Sequence, residues 1–124
     1  MRFPQWPRPI RQLMRPLGFS ADGMAAQSRF LEVISNNLAN AEVTRTAEGG
    51  AYKRQVATMT PGPDGRPTLE VVQDPRPGRL QYDPSHPDAN ADGFVEYPNV
   101  DVSNELVDLM ITRRVHEGNV SVFQ

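Results

Sequence analysis

The chain has 124 residues, 38% of them hydrophobic, with twelve prolines, nine glycines and a formal net charge of −2. A chain of this size forms at most one small domain with a modest core, so we expect part of its stability to come from partners. The net charge gives no general case for nucleic-acid binding, and the lack of cysteine excludes disulfides and thiolate chemistry. No apolar run approaches the roughly 20 residues of a membrane span, so we expect no membrane insertion.

Residues 1–18 are rich in proline and arginine. Prolines occupy positions 4, 7, 9 and 16, and arginines occupy positions 2, 8, 11 and 15 with no acidic residue among them. Proline removes a backbone donor and disfavours helix at the preceding residue, so we expect an irregular, flexible leader. A basic arm for a membrane surface or nucleic acid is one interpretation, but a solvated leader is the one we prefer. The segment also lacks the apolar core of a secretory signal peptide.

A heptad-like apolar pattern dominates residues 19–43. Its positions alternate in spacing between three and four: Met24, Gln27, Leu31, Ile34, Leu38 and Ala41. Phe30 and Val33 widen the stripe on one side. The pattern predicts an amphipathic N-terminal helix whose apolar edge needs a second helix to cover it. The residues that we assign to helix packing and assembly here are Met24, Leu31, Ile34 and Leu38.

Three asparagines cluster near the end of this helix, at Asn36, Asn37 and Asn40. Asparagine is a poor helix former because its amide competes for nearby backbone groups. The cluster therefore indicates one of two things. Either the last turn frays, or the amides hydrogen-bond across a helix–helix interface and set its register.

Residues 44–100 are expected to form a small β ribbon with a polar loop. Strand patterns cover 52–60 and 68–73, and the Pro-Gly-Pro-Asp-Gly sequence between them is a strong turn signal, so we predict a hairpin. Shorter strands are predicted over 79–82 and 94–97. These strands are too short for an independent β domain, so we expect a ribbon that leans on the helices.

A second helical pattern occupies residues 101–124. Its seam candidates are Val102, Leu106, Leu109, Arg113, His116, Val120 and Phe123, and Ser103 is the predicted N-cap. The fold class is therefore α+β, with N- and C-terminal amphipathic helices forming a coiled-coil-like pair around a small central hairpin. The residues that we assign to packing on this helix are Leu106, Leu109 and Val120.

The best metal candidate is the loop from Asp88 to Gly93, which matches the opening half of an EF-hand calcium loop. Its twelfth position is Asn99 rather than the required glutamate, so a polar loop closed by its own side chains is favoured. The carboxylates Glu96, Asp101, Glu105 and Asp108 are expected on solvated faces. We find no nucleophile elbow, P-loop or dinucleotide motif, and we expect neither catalysis nor a cofactor. A calcium- or partner-binding adaptor that uses the Asp88–Gly93 loop is the alternative function.

Two groups of residues carry a resemblance to a known family. The first group comprises SNNLANA at 35–41, TRT at 44–46, GG at 49–50 and YKRQ at 52–55. It is similar to the N-terminal signature of the flagellar rod and hook axial proteins. The second group comprises DP at 83–84, HPDANADG at 86–93 and YPNV at 97–100. It resembles the proximal-rod members of that family in particular.

The resemblance implies a structural subunit of the bacterial flagellar proximal rod. Such subunits pass unfolded through the flagellar type III export apparatus and polymerise in the periplasm through their terminal helices. The implied partners are copies of this chain, other rod proteins and the export apparatus, with MS-ring and export-gate proteins as further candidates.

The sequence departs from the family pattern at both ends. The leader 1–18 replaces a shorter helical start, and we expect the C-terminal helix to be several turns shorter than in family members. Because neither helix looks self-sufficient, we also predict low helicity in the dilute monomer.

Overall fold

The computed structural model describes residues 21–65 and 67–123. Within these residues, two helices bracket four strands: α1 (Ala21–Ala39), β1 (Gln55–Pro61), β2 (Pro67–Gln73), β3 (Arg79–Tyr82), β4 (Phe94–Tyr97) and α2 (Val102–Phe123). This order confirms the predicted α+β class with a small central β region. The leader 1–18 lies outside the described residues. None of the described helices is long and apolar enough to cross a membrane.

Helix α1 ends at Ala39, inside the 19–43 segment assigned to it, and its last turn is closed by an asparagine. The Asn40 amide nitrogen Nδ2 donates to the carbonyl oxygen of Asn36 at 2.7 Å, and the Asn40 backbone N–H donates to the same oxygen at 3.1 Å. The side chain thus adds a second hydrogen bond to a carbonyl oxygen that the backbone N–H of Asn40 already satisfies, which reinforces the last turn of α1.

The four strands form two separate antiparallel hairpins. Strand β1 pairs with β2 from Gln55↔Gln73 to Pro61↔Pro67, which confirms the predicted hairpin. Strand β3 pairs with β4 over four residues, and both strands were predicted. Gly78, just before β3, lies close to the backbone of Tyr97 in β4. A Cβ atom on Gly78 would lie 2.1 Å from the carbonyl oxygen of Tyr97, so only glycine fits there.

The two helices pack against each other in antiparallel orientation. Near one end, Nδ1 of His116 lies 3.2 Å from Oε1 of Gln27. Near the other end, Nδ2 of Asn37 donates to Oε2 of Glu105 at 3.4 Å. An early residue of α1 therefore meets a late residue of α2, and the reverse holds at the opposite end. The coiled-coil character of this pair stays a prediction.

Helix α2 begins two residues earlier than its predicted cap at Ser103 implies. Oδ1 of Asp101 accepts a hydrogen bond from the N–H of Asn104 at 3.2 Å, so Asp101 is the N-cap and Ser103 lies inside the helix. The prediction for Ser103 is wrong because an aspartate two residues earlier offers a stronger acceptor for the free N–H groups.

The buried interior of the described residues is small and half polar. Its apolar members are Val33, Ile34, Ala41, Ala51 and Val95. Its polar members are Gln27, Asn37, Asp74 and Glu105. Buried polar groups destabilise a fold unless they are hydrogen-bonded, so the contacts of these four side chains decide how the helices and the ribbon are joined.

Candidate functional site

The helices and the first hairpin meet at Asn37, whose side chain is 1% exposed. Its Oδ1 accepts hydrogen bonds from the hydroxyl of Tyr52 at 2.7 Å and from the N–H of Gln55 at 2.9 Å. Its Nδ2 donates to the carbonyl oxygen of Gln55 at 2.8 Å and to Glu105. An amide has two donors and two acceptor sites, so Asn37 is saturated. Asn37 thus bonds both backbone groups of Gln55, the first residue of β1. These bonds fix the position of the first hairpin relative to α1.

Glu105, in the first turn of α2, is 1% exposed and makes an ion pair with the Nε of Arg54. The expectation of a solvated face for this carboxylate is wrong, because it is covered by the hairpin segment and by α1. Burial raises the pKa of the Tyr52 hydroxyl, and the nearby charge of Glu105 raises it further. Tyr52 therefore stays protonated and donates its hydrogen bond to Asn37.

Arg54 joins Glu105 to a second buried carboxylate, Asp74. Its Nη1 lies 3.2 Å from Oδ2 of Asp74, and Nη2 of Arg76 lies 2.7 Å from the same oxygen. Hydrogen bonds from Arg76, followed by that from Arg54, hold the pKa of Asp74 well below its usual range. Burial alone lowers the pKa of Arg54, but its bond to Glu105 and the two neighbouring charges outweigh this and raise it. Asp74, Arg54 and Arg76 are therefore charged at neutral pH.

Asn99 ties the segment before α2 to the same junction. Its Oδ1 accepts the N–H of Arg54 at 2.7 Å, and its Nδ2 donates to the carbonyl oxygens of Asp74 at 3.1 Å and Arg76 at 2.9 Å. We use the name polar junction for the set of residues Asn37, Tyr52, Arg54, Asp74, Asn99 and Glu105. The polar junction connects α1, the first hairpin and the start of α2 in one hydrogen-bonded network.

In the loop from Asp88 to Gly93, the side-chain oxygens of Asp88 and Asn90 accept hydrogen bonds from protein groups. The Asp88 carboxylate accepts from the hydroxyl of Thr44 at 2.6 Å and pairs with Nε of Arg45 at 2.8 Å. Oδ1 of Asn90 accepts from the backbone N–H groups of residues 92 and 94, which closes the turn. The described residues contain no group of three or more histidine or acidic side chains that could hold a metal ion. This arrangement favours a structural loop over the calcium alternative.

The structure separates the residues assigned to assembly into several environments. Ile34 and Asn37 are buried, whereas Met24, Leu31, Leu38, Asn40 and Leu109 are half-buried, and Asn36 is exposed. Leu106 is 46% exposed and lies off the row that faces α1. The side chain of Val120 lies outside the described ones. The assembly roles of these residues stay predictions.

Comparison with known proteins places these features in a family. Residues 17–46, which include α1 and Asn37, match the family model described as flagella basal body rod protein. The chain is 33% identical to FlgC of Borreliella burgdorferi over 133 residues, covering 89% of the chain and 88% of that protein. It is 34% identical to FlgC of Salmonella typhimurium over 116 residues, covering 89% and 87%. It is 32% identical to FlgC of Bacillus subtilis over 127 residues, covering 85% of each.

The chain belongs to the FlgC family of flagellar basal-body rod proteins. The resemblance read from the sequence motifs is thereby confirmed. FlgC proteins form a family of structural rod components, not an enzyme family. Its place is the basal body of the flagellum.

Sequence reasoning identified Asn37 as a residue that could bond across an interface, but it missed the partners of that residue. Nothing in the spacing of Arg54, Asp74 and Glu105 along the chain indicates that they meet. The one usable signal is the position of Glu105, which continues with Leu109 and His116 at helical spacing. A carboxylate on that row needs a cation, and Arg54 supplies it.

Proposed function

We propose that this chain is a subunit of the flagellar proximal rod that is exported by the flagellar type III apparatus. It polymerises by packing the outer face of α2 on neighbouring rod subunits. The observation that carries this proposal is a row of exposed large apolar side chains on α2. We call this row the outer face, and it comprises Val102, Leu106, Val107, Met110 and Ile111.

Most of the outer face is turned away from α1, and Ile111 lies at its border, where it lines a cavity with Phe30 and Val33 of α1. At about 100° per residue, its members lie within one half of the helix surface. Glu105, Leu109 and His116 lie on the other half, and Glu105 and His116 contact α1. Met110 is 67% exposed and Ile111 is 55% exposed. A contiguous exposed apolar patch is uncommon on a monomer and typical of a protein–protein interface.

The family context supports a neighbouring rod subunit as the partner that covers this face. Members of the family are basal-body rod proteins by name, and a rod is built from subunits in lateral and axial contact. The polar junction contributes by holding α2 against α1, so that the outer face is presented in one orientation. Copies of this chain and other rod proteins are the proposed partners.

The proposal is tested by a double charge substitution, Met110→Glu with Ile111→Glu, in a strain that lacks its own FlgC. We expect the variant to keep the circular dichroism spectrum of the parent, to be absent from purified basal bodies, and to leave the cells non-motile. Ser35→Glu, which adds a charge to an exposed position of α1, is the matched control and should be incorporated. Normal incorporation of the double variant would contradict the proposal.

Export is tested separately from assembly. An epitope-tagged copy of the full chain should reach the periplasm in cells with a working flagellar export apparatus and stay in the cytoplasm in cells without one. Equal periplasmic amounts in the two strains would contradict export by the flagellar apparatus, but they would not bear on the packing of the outer face.

A further inference from the structure

A cleft of about 820 Å³ opens at the end of the molecule where α1 finishes and α2 begins. One wall is the segment 76–79, which precedes β3, and the other wall is the first two turns of α2 with residues 98–101. Both walls carry apolar side chains: Pro77, Pro98, Val100, Val102 and Val107. The cleft therefore offers apolar patches on two sides of an open groove whose lining is otherwise mostly polar.

The charged groups that line this cleft are unequally neutralised. Its guanidinium groups are already engaged, because Arg54 and Arg76 bind Asp74, and Arg79 lies 5.0 Å from the centre of the Tyr97 ring. The carboxylates that line the cleft, apart from Glu105, lack such partners. Among the described residues, none forms an ion pair with Glu42, Asp101 or Asp108. The cleft thus carries a surplus of negative charge beside its apolar patches, with the charge of Asp101 partly balanced by Arg76 and that of Arg79 left without an ion pair among the described residues.

The leader of the same chain has the complementary chemistry. Its four arginines are accompanied by no acidic residue, and they alternate with apolar side chains such as Trp6, Ile10 and Leu13. Arginine forms strong paired hydrogen bonds with carboxylates, and tryptophan buries a large apolar area. A groove with apolar walls and unpaired carboxylates fits a segment of this composition.

The leader and the cleft belong to opposite ends of the helix pair. The leader joins α1 at its first residue, whereas the cleft includes Ala41 and Glu42, just beyond the last residue of α1. Nineteen residues of helix separate these ends by about 28 Å. A contact between two different surfaces at opposite ends is heterologous, and repetition of such a contact produces an open filament rather than a closed dimer.

We infer that residues 1–18 of one copy dock into the cleft of the next copy, so that subunits join head to tail. This inference rests on the proposed function in that both describe contacts between rod subunits. The cleft shares Val102 and Val107 with the outer face, but it also extends over residues 76–79 and 98–101, which the outer face does not include. The arginines of the leader pair with Glu42 and Asp108, and its apolar side chains cover the valines of the cleft. Asp101 is occupied in capping α2 and contributes its charge from the rim.

Photo-cross-linking of the full chain tests this contact. Trp6 is replaced by p-benzoylphenylalanine in one preparation at natural isotope abundance, which is mixed with the unmodified chain labelled with ¹⁵N. We expect cross-linked peptides that join the natural-abundance leader to ¹⁵N-labelled residues 98–108. Cross-links confined to a single isotope would show that the leader folds back on its own copy. Either that result or the absence of cross-links to 98–108 at the highest soluble concentration overturns the inference.

A charge exchange provides the second measurement. The pair Glu42→Lys with Asp108→Lys should reduce the intermolecular cross-link at least tenfold, and Arg8→Glu with Arg11→Glu in the leader should restore it. The matched control is Glu48→Lys with Glu117→Lys, which changes two exposed carboxylates outside the cleft and should leave the cross-link unchanged. Equal loss in the control pair, or no restoration by the exchange, would contradict the docking.

The outer-face variant distinguishes the two proposals. Met110→Glu with Ile111→Glu leaves the cleft residues named here intact, so the leader cross-link should persist in that variant. Persistence with loss of basal-body incorporation supports two separate interfaces. If the cross-link were lost in the outer-face variant but not in the cleft variant, the contact would belong to the outer face and the inference would fail.

Discussion

The two sides of helix α2 differ in a way that residue types alone do not suggest. On the inner side, Glu105 is charged and 1% exposed, and on the outer side, Met110 is apolar and 67% exposed. The carboxylate is buried because Arg54 and Asn37 reach it, whereas no described residue covers the methionine. The comparison teaches that this fold joins its elements through polar contacts and leaves apolar side chains of α2 exposed.

This division suits a small subunit that assembles. A buried ion pair contributes little net stability against an apolar replacement, but it strongly disfavours arrangements in which one partner is left unpaired. The polar junction therefore specifies how α1, the hairpin and α2 are oriented. The outer face, which has no such partner requirement within the chain, is available for the hydrophobic contacts that drive association.

The largest effect is expected when the polar junction loses its central cation. Arg54→Met leaves Glu105 buried beside an apolar side chain and removes one of the guanidinium groups on Asp74. Leaving a buried charge unpaired destabilises by about 3–5 kcal/mol. Urea unfolding followed by circular dichroism measures this change. Arg29→Met, which breaks the exposed pair with Glu32, should change the free energy of unfolding by less than about 1 kcal/mol. Similar losses in the two variants would contradict the central role of Arg54.

Asn37→Ala is expected to have the next largest effect. The substitution leaves both backbone groups of Gln55 and the Tyr52 hydroxyl without their partner. Unsatisfied buried groups destabilise by about 1–3 kcal/mol in total for such a site. Thermal unfolding measures the loss. Asn36→Ala, at the exposed neighbouring position, should stay within about 0.5 kcal/mol of the parent. Equal destabilisation by Asn36→Ala and Asn37→Ala would contradict the role of Asn37 in joining the helices to the first hairpin.

Acid should destabilise the polar junction. The pKa of Asp74 in the polar junction lies below its usual range, and so does the pKa of Glu96, which pairs with Lys53 outside the junction. The unfolded chain therefore binds these protons more readily than the folded one does. The stabilisation is fully present above the ordinary carboxyl pKa of about 4 and is lost as pH falls from there towards the lower folded values. Unfolding measured from pH 7 to pH 2 should show this decrease. The free energy of unfolding of Asp74→Asn should decrease less between pH 7 and pH 2 than that of the parent. An equal decrease in the two proteins would show that other groups cause the pH dependence.

A smaller effect of opposite sign is expected at the far end of the helix pair. Gln27 is fully buried, and its Nε2 has no hydrogen-bond partner among the described residues. Gln27→Met removes that unsatisfied donor at similar volume, so it should raise the free energy of unfolding by about 1 kcal/mol. Gln73→Met, at an exposed strand position, serves as the control. A destabilised Gln27→Met variant would mean that the contact with His116 matters more than the unpaired nitrogen.

The smallest effect on the monomer is expected on the outer face. Met110→Ser removes an exposed apolar side chain, so the free energy of unfolding should change by less than about 0.5 kcal/mol. Self-association measured by analytical ultracentrifugation should nevertheless weaken. A dilution series followed by circular dichroism also tests the prediction that the dilute monomer has low helicity, and full helicity at every concentration would count against it.

The elements of the fold could be predicted because their signals are local. Strands β3 and β4 have the predicted bounds, and the first hairpin follows from its turn residues. Strand β1 begins at Gln55 rather than at Tyr52 because the backbone of 52–54 bonds to distant groups: Tyr52 to Val43, and Arg54 to Asn99. Those partners are far away in the sequence, so no window of neighbouring residues contains the information.

The sequence by itself determined the order and approximate bounds of the helices and strands and the membership of the flagellar rod family. Periodicity, turn chemistry and motif identity are all properties of short segments. Only the tertiary structure decided that Glu105 is buried with Arg54, and that Leu106 and Met110 lie exposed on the same helix. The reason is physical: burial depends on which distant groups fold over a side chain, and a carboxylate becomes an interior residue only where a cation from another element reaches it.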